Sequence, residues 1–238
     1  MITVRRYRKT DAELWNDFLE TSRTNSFLFS RSFMEYHGDR FEDHSLMVFD
    51  DGHLVGLFPA NINDKKLVSH GGLTYGGFVT AKDVAVKKSL RYLVELVSFS
   101  NKAGIEKILF KQSPSFYSSV SQDEIDYAMF LAEAKMYRVD ISFAVNQQMN
   151  PRIKYQERRS RAIKKAKKNG VVILEVQDFS PFWNEILIPN LQRRFGVDPV
   201  HSLTEITYLA ANNSGKIRQF EARQNNVLLA GTTIFETP

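Results

Sequence analysis

The sequence predicts an α/β protein with mixed sheets, built as two tandem halves of which the second is incomplete. Three observations carry this reading. Strand-like and helix-like patterns alternate along all 238 residues. Two hairpin patterns resemble each other at an offset of 175 residues, LMVFDDGHLVGLFP at Leu46–Pro59 and QFEARQNNVLLAGTTIF at Gln219–Phe235. A polar join, Gln147-Gln148-Met149-Asn150 before Pro151, separates the halves. The expected domains are therefore 1–150 and 151–238. After Gly56 the first half runs on for about 94 residues, whereas after Gly231 only seven remain. An uncovered strand edge is a liability that proteins avoid, so the expectation is a truncated form of a longer protein.

Each element has its own signal. Thr3–Tyr7 reads as a strand. Thr10 is the expected cap of a helix to about Ser22, with Leu14, Trp15, Phe18 and Leu19 on one face. Ser30 caps a short helix through Tyr36. Leu46–Phe49 and His53–Asn61 are strands around Asp50-Asp51-Gly52, because Asp-Gly between apolar runs favours a two-residue turn. Lys82–Lys102 reads as a helix through Leu90, Leu93, Val94 and Val97, stopped at Ala103-Gly104. Ile105–Phe110 is a strand, Asp123–Ala134 a helix or loop, and Val139–Ala144 a strand.

In the second half a basic helix stops at Asn169-Gly170 and leads into a strand, Val171–Val176. Ser180-Pro181 opens a helix through about Phe195 that Pro189 divides or kinks. Ser202, with Glu205 three residues on, forms a capping box for a helix to about Ala211. Lys216–Arg223 and Val227–Phe235 are strands around Gln224-Asn225-Asn226.

Charge is concentrated. The chain holds 32 Lys+Arg and 27 Asp+Glu, a formal charge of +5. Nine basic residues fall between Arg152 and Lys168 against one acid, Glu157, so that stretch carries +8 and the remainder −3. Arg158, Arg159, Lys164 and Lys165 are candidate anion-binding residues there. The partner would be RNA, a phosphorylated lipid head group or a phosphorylated carrier. The alternative is a solvated helix face whose cations complement the helix dipole.

Other classes fall away. With no cysteine, disulfide scaffolds, thiolate zinc sites, iron–sulfur ligation and cysteine nucleophiles are excluded. His37, His44 and His53 lack metal-binding spacing, so no metal is expected. There is no P-loop, and the glycines of Ser69–Gly77 have the wrong spacing for a dinucleotide motif. No run approaches the ~18 apolar residues of a membrane span. The charged start MITVRRYRKTDAELW is no secretory signal. The expected location is cytoplasmic, with at most peripheral membrane contact and no DNA partner.

Ser69–Gly77 (SHGGLTYGG) is the densest unusual segment. Its four glycines allow close backbone approach, and its N–H groups form a candidate anion or oxyanion site with Ser69, Gly71, Gly72 and Tyr75. His70 is a candidate acid or base. The alternative is a glycine-rich turn with Tyr75 in the core. His201, before a capped helix, is a candidate substrate-binding group or base, and Glu205 either orients it, replaces it, or only completes the cap. Arg193 and Arg194 either bind an anionic acceptor or complement a helix C-terminus.

Three segments in order, Phe58-Pro59-Ala60 with Ser69–Gly77, Arg158–Gly170 leading into a strand, and Pro199–Ile206 before the second hairpin, resemble the FemAB-related branch of the GNAT acyltransferase superfamily. The resemblance implies two tandem GNAT-like domains, the second incomplete. It implies N-acyl transfer, of an acyl or aminoacyl group, to an amine on a cell-envelope or polysaccharide precursor. The co-substrate would be acyl-CoA or aminoacyl-tRNA, the acceptor an amine-bearing anion, with no tightly bound cofactor. The chain departs from the family at its end, where the donor-phosphate strand and helix of the second domain do not follow, which puts activity of this polypeptide in question. The competing reading is a non-catalytic polyanion- or RNA-binding module that uses the basic helix 152–168.

Overall fold

In a computed structural model describing residues 1–145 and 154–237, β1 (Ile2–Arg6) leads through a short 3₁₀ turn into α1 (Ala12–Thr21). Asp11, not Thr10, stands at the head of α1. Its carboxylate accepts from the Arg8 N–H at 2.9 Å and from both terminal nitrogens of Arg5, at 2.6 and 2.9 Å. Trp15 and Leu19 are buried, but Leu14 faces solvent. Next come α2 (Arg31–Met34), β2 (Glu42–Asp43), β3 (Leu46–Asp50), β4 (His53–Phe58), β5 (Asn61–Asn63), β6 (Lys66–Val68) and β7 (Val79–Thr80). Ser30 caps α2 as expected, its hydroxyl accepting from the Phe33 N–H. Then follow α3 (Val86–Lys102), β8 (Lys107–Leu109) and α4 (Asp123–Leu131).

The chain divides into two compact units, Met1–Phe143 and Ala144–Glu236. The first holds two four-stranded sheets, ordered β1-β3-β4-β7 and β2-β5-β6-β8. Every pairing is antiparallel except β6 with β8. Leu46, Val48, Phe58, Ala60, Leu67, Phe78, Tyr92, Leu93, Leu96 and Ile125 form its core. The buried stripe of α3 is Ser89, Tyr92, Leu93, Leu96 and Ser100, rotated by one position from the expected Leu90, Leu93, Val94 and Val97. Val94 and Val97 are exposed. Tyr92 decides the rotation: its ring fills the core while its hydroxyl donates to Asp50 Oδ2 at 3.1 Å.

Val139–Ala144 is not a strand. Among the described residues it pairs with no other strand, and Val139, Ile141 and Phe143 stand exposed. Alternation supplies a face but not a neighbour, and a ladder needs both. The polar join, with Arg152 and Ile153, lies outside the described residues.

The second unit contains α5 (Glu157–Lys168), β9 (Val172–Val176), a π-helical turn at Phe182–Leu187, α6 (Ile188–Phe195), α7 (Leu203–Asn212), β10 (Ile217–Gln224) and β11 (Val227–Phe235). Pro189 divides the expected helix where the π turn passes into α6. There the Ile188 N–H reaches back five residues to the Trp183 carbonyl, a register that absorbs a residue with no N–H. One antiparallel sheet runs β11-β10-β9. Phe179, Phe182, Trp183, Ile206, Leu209, Ile217 and Leu228 are buried in this unit.

The two hairpins are the same device. Asp51 and Gly52 both have positive φ (50° and 82°), as do Asn225 and Asn226 (49° and 63°), the twist that suits two-residue hairpins. In the first, Phe49 pairs Leu54 and Val48 pairs Gly56, leaving Val55 as a bulge. In the second, Arg223 pairs Leu228 and Ala222 pairs Ala230, leaving Leu229 as the bulge. Turn and bulge thus repeat at 174 residues, not 175. The alignment of Gly56 with Gly231 that suggested 175 joins non-equivalent positions. Each glycine nevertheless lies under a phenylalanine, since a methyl at Gly56 would strike the Phe78 ring and one at Gly231 the Phe182 ring.

Candidate functional site

The turn Ser69–Gly77 leaves β6 and is stitched to the residue two past the end of β8. The Ser69 hydroxyl, fully buried, accepts from the N–H groups of Lys111 at 2.8 Å and Gly77 at 3.1 Å. The Gly76 N–H donates to the Lys111 carbonyl at 3.1 Å, and the Gly71 N–H to Asn61 Oδ1 at 2.6 Å. The Lys111 ammonium donates to the carbonyls of His70, at 3.1 Å, and Leu73. Gly76 must be glycine because a Cβ would collide with the Ser69 carbonyl, and Gly77 has φ +96°. Ser69 therefore shapes the turn from inside. Gly71 and Thr74 are the exposed part of it.

His70 sits in the left-handed region (φ 53°) with its ring buried and stacked on His37, centroids 5.2 Å apart. Its Nδ1 has no hydrogen-bond partner among the described residues. Burial, reinforced by the neighbouring His37, pushes its pKa down to about 3. At neutral pH it is an uncharged imidazole with little basicity. Tyr75 is buried against Phe29 and Tyr117, and its hydroxyl shares a 2.8 Å hydrogen bond with Ser26 Oγ. Burial holds its pKa up at about 12, so it stays a neutral phenol.

Within the second unit, both halves of the expected capping box are present. Ser202 Oγ accepts from the Glu205 N–H at 3.2 Å, and Glu205 Oε2 accepts from the Ser202 N–H at 2.8 Å. His201 is half-buried, its ring stacked on Phe235 and its carbonyl accepting from Trp183 Nε1 at 3.0 Å. Arg193 and Arg194 are exposed in the last turn of α6, Arg193 donating to Asn190 Oδ1 at 2.9 Å. That is where cations favour the helix dipole. On α5 no residue is buried. Arg158, Arg159, Lys164 and Lys165 all face solvent, and Glu157 is taken by Arg161 at 3.4 Å.

Lys111 is the participant that sequence reading missed. A lysine inside the apolar run Ile108-Leu109-Phe110-Lys111 was the available signal, but nothing local ties it to Ser69, 42 residues earlier. Among the described residues there is no group of three or more His, Asp or Glu placed to hold a metal ion, and no helix long and apolar enough to cross a membrane.

No known family model matches the sequence, and no curated protein matches it either. Solved structures do. The crystal structure of FemX aligns over 92% of this chain at a TM-score of 0.56 and 12% identity. The chain spans 58% of that FemX chain's length. A ribosomal-protein-alanine N-acetyltransferase from Brucella melitensis biovar Abortus 2308 aligns over 60% of this chain and 100% of its own, at 14% identity and a TM-score of 0.39. The PaiA N-acetyltransferase from Thermoplasma acidophilum, in complex with coenzyme A, aligns over 59% of this chain and 93% of its own, at 15% identity and 0.37. The FemX alignment shows the fold, mixed α/β with several sheets, to be like that of FemX.

Proposed function

We propose that this chain is an N-acyltransferase, or a part of one, and belongs to the FemAB-related branch. It moves an acyl or aminoacyl group to an amine on an anionic cell-envelope or polysaccharide precursor in the cytoplasm. The observation that supports this best is the alignment with FemX over 92% of the chain. The two GNAT-like domains would be 1–150 and 151–238, the donor acyl-CoA or aminoacyl-tRNA.

The chemistry needs little from the protein. The acceptor amine attacks the donor carbonyl carbon, a C–N bond forms, and the C–S bond of a thioester or the C–O bond of an aminoacyl ester breaks. The amine's proton leaves to a base, and the departing sulfur or oxygen takes one up. His201 fits the base best, because its ring is part-exposed while His70 is buried and hardly basic. Glu205, engaged by Ser202, fixes the turn that carries His201. Arg193 and Arg194, exposed in the last turn of α6, are our candidates for the acceptor's negative charge.

The test is thiol release from acetyl-CoA with a panel of amino sugars and lysyl peptides, read by a thiol-reactive dye. A chain without cysteine adds no background. Turnover that needs both substrates and falls about 100-fold in His201→Ala is the expected result. No thiol release, together with no transfer from charged tRNA to the same amines, would overturn the proposal.

A second reading keeps α5 as an RNA-binding element, favoured by its wholly exposed cations. It predicts binding of a labelled RNA oligonucleotide that weakens steeply with salt and fails when Lys164 and Lys165 become glutamine.

A further inference from the structure

The buried or half-buried arginines of the first unit each have a carboxylate. Arg5 holds Asp11, Arg23 holds Glu124, and Arg31 holds Glu35 and Asp43. Lys111 differs from them. It is half-buried, and among the described residues its ammonium has only carbonyl partners, on His70 and Leu73. Burial, and after it the cation Arg138, lower its pKa. Arg138 itself is spent on Asp140 at 2.8 Å. A desolvated cation with no counter-charge is costly unless something supplies one.

The turn that Lys111 staples has what an anion needs. An ammonium has three donors, and two are used. The N–H groups of Gly72 and Thr74 donate to no atom among the described residues. Gly71 is exposed and lacks a side chain that would hold a ligand off. The neighbouring imidazole of His70, 96% buried, leaves Nδ1 without a partner among the described residues.

We propose that Lys111 and the turn Gly71–Thr74 bind an oxyanion, the phosphate or carboxylate of a small molecule. If the chain is an acyltransferase, that anion belongs to the acceptor. The site itself does not rest on that reading, because equilibrium binding is measured without turnover.

The probes are inorganic phosphate and acetate, titrated calorimetrically at constant ionic strength into the whole protein. Saturable binding of one equivalent of either supports the site, phosphate alone pointing to a phosphate ligand and acetate to a carboxylate. Lys111→Arg should bind within about threefold of the wild type, since the charge stays, while Lys111→Gln should bind about tenfold more weakly or worse. Lys111→Gln also removes a staple, so the unmodified protein gives a second reading. Acetic anhydride labelling, mapped by mass spectrometry, should slow at Lys111 in the presence of the anion and stay constant at Lys87. Undiminished binding by Lys111→Gln, protection confined to the lysines of α5, or no binding of either probe would each overturn the proposal.

Discussion

The two units use one hairpin and one way of seating an indole, yet they bury the strands around them to different depths. In the first, Trp15 donates to the Phe29 carbonyl at 2.8 Å, and the opening of β3, Leu46–Val48, is completely buried. In the second, Trp183 donates to the His201 carbonyl at 3.0 Å. There β9 exposes Val172, Ile173 and Leu174, and α5 buries nothing. The hairpins share turn conformation and bulge position, so local chemistry fixes them equally. Depth of burial is set by what packs on top. Two sheets with α3 and α4 close over the first hairpin, whereas the second lies in one three-stranded sheet covered by the Phe182–Leu187 turn and α7.

The sharpest way to break this contrast is to open the better-packed unit at its buried ion pair. Arg23 and Glu124 are each less than 10% exposed. The same guanidinium also donates to the carbonyls of Lys82 at 3.0 Å and Val84 at 2.7 Å. Arg23→Met strands a buried carboxylate and two carbonyls, a loss of about 3–5 kcal/mol. Native-state hydrogen exchange should show α4 opening first, because Glu124 lies in its first turn. Unchanged protection of α4 would mean that the pair contributes nothing.

A smaller effect comes from His70. In the unfolded chain an imidazole takes a proton near pH 6.5, and in the folded protein only near 3. Between these values the unfolded state binds the extra proton, so stability rises with pH. The contribution is complete above about 6.5 and is lost as pH falls toward 3, at about 1.4 kcal/mol per unit. His70→Asn keeps a residue that tolerates positive φ and removes the titration. Denaturation curves between pH 6.5 and 4 should show the variant with the flatter slope. Equal slopes would show that the buried imidazole titrates normally.

What the sequence made legible follows the same division between local and distant causes. The Ser30 cap, the Asp51-Gly52 turn, the stop at Gly104 and the Ser202–Glu205 box each depend on residues within a few positions, and each is in place. The stitching of Ser69 to Lys111, the His37–His70 stack and the Arg23–Glu124 pair join residues 33 to 101 positions apart. No periodicity encodes them. Val139–Ala144 failed for a related reason: its alternation is real, but a strand is a statement about a partner. Of the candidate site, the glycine turn was visible as composition. The burial that lowers the His70 pKa was not, because it depends on His37 and on the fold around it.

The mildest prediction separates two meanings of Glu205. Its carboxylate is half of a capping box, and the same position suits a base beside His201. Ser202→Ala removes the hydroxyl that the Glu205 N–H needs and should cost about 1 kcal/mol. Glu205→Gln still offers an oxygen to the Ser202 N–H, so it should cost only about 0.3 kcal/mol. Exchange at the first amides of α7 reads both. If Glu205 only fixes the turn, Glu205→Gln should also keep amine-dependent thiol release within about threefold of the wild type. A fall of about 100-fold or more with the cap intact would move the base from His201 to Glu205. The glutamine variant therefore decides between them, because it preserves the hydrogen bond and abolishes the charge.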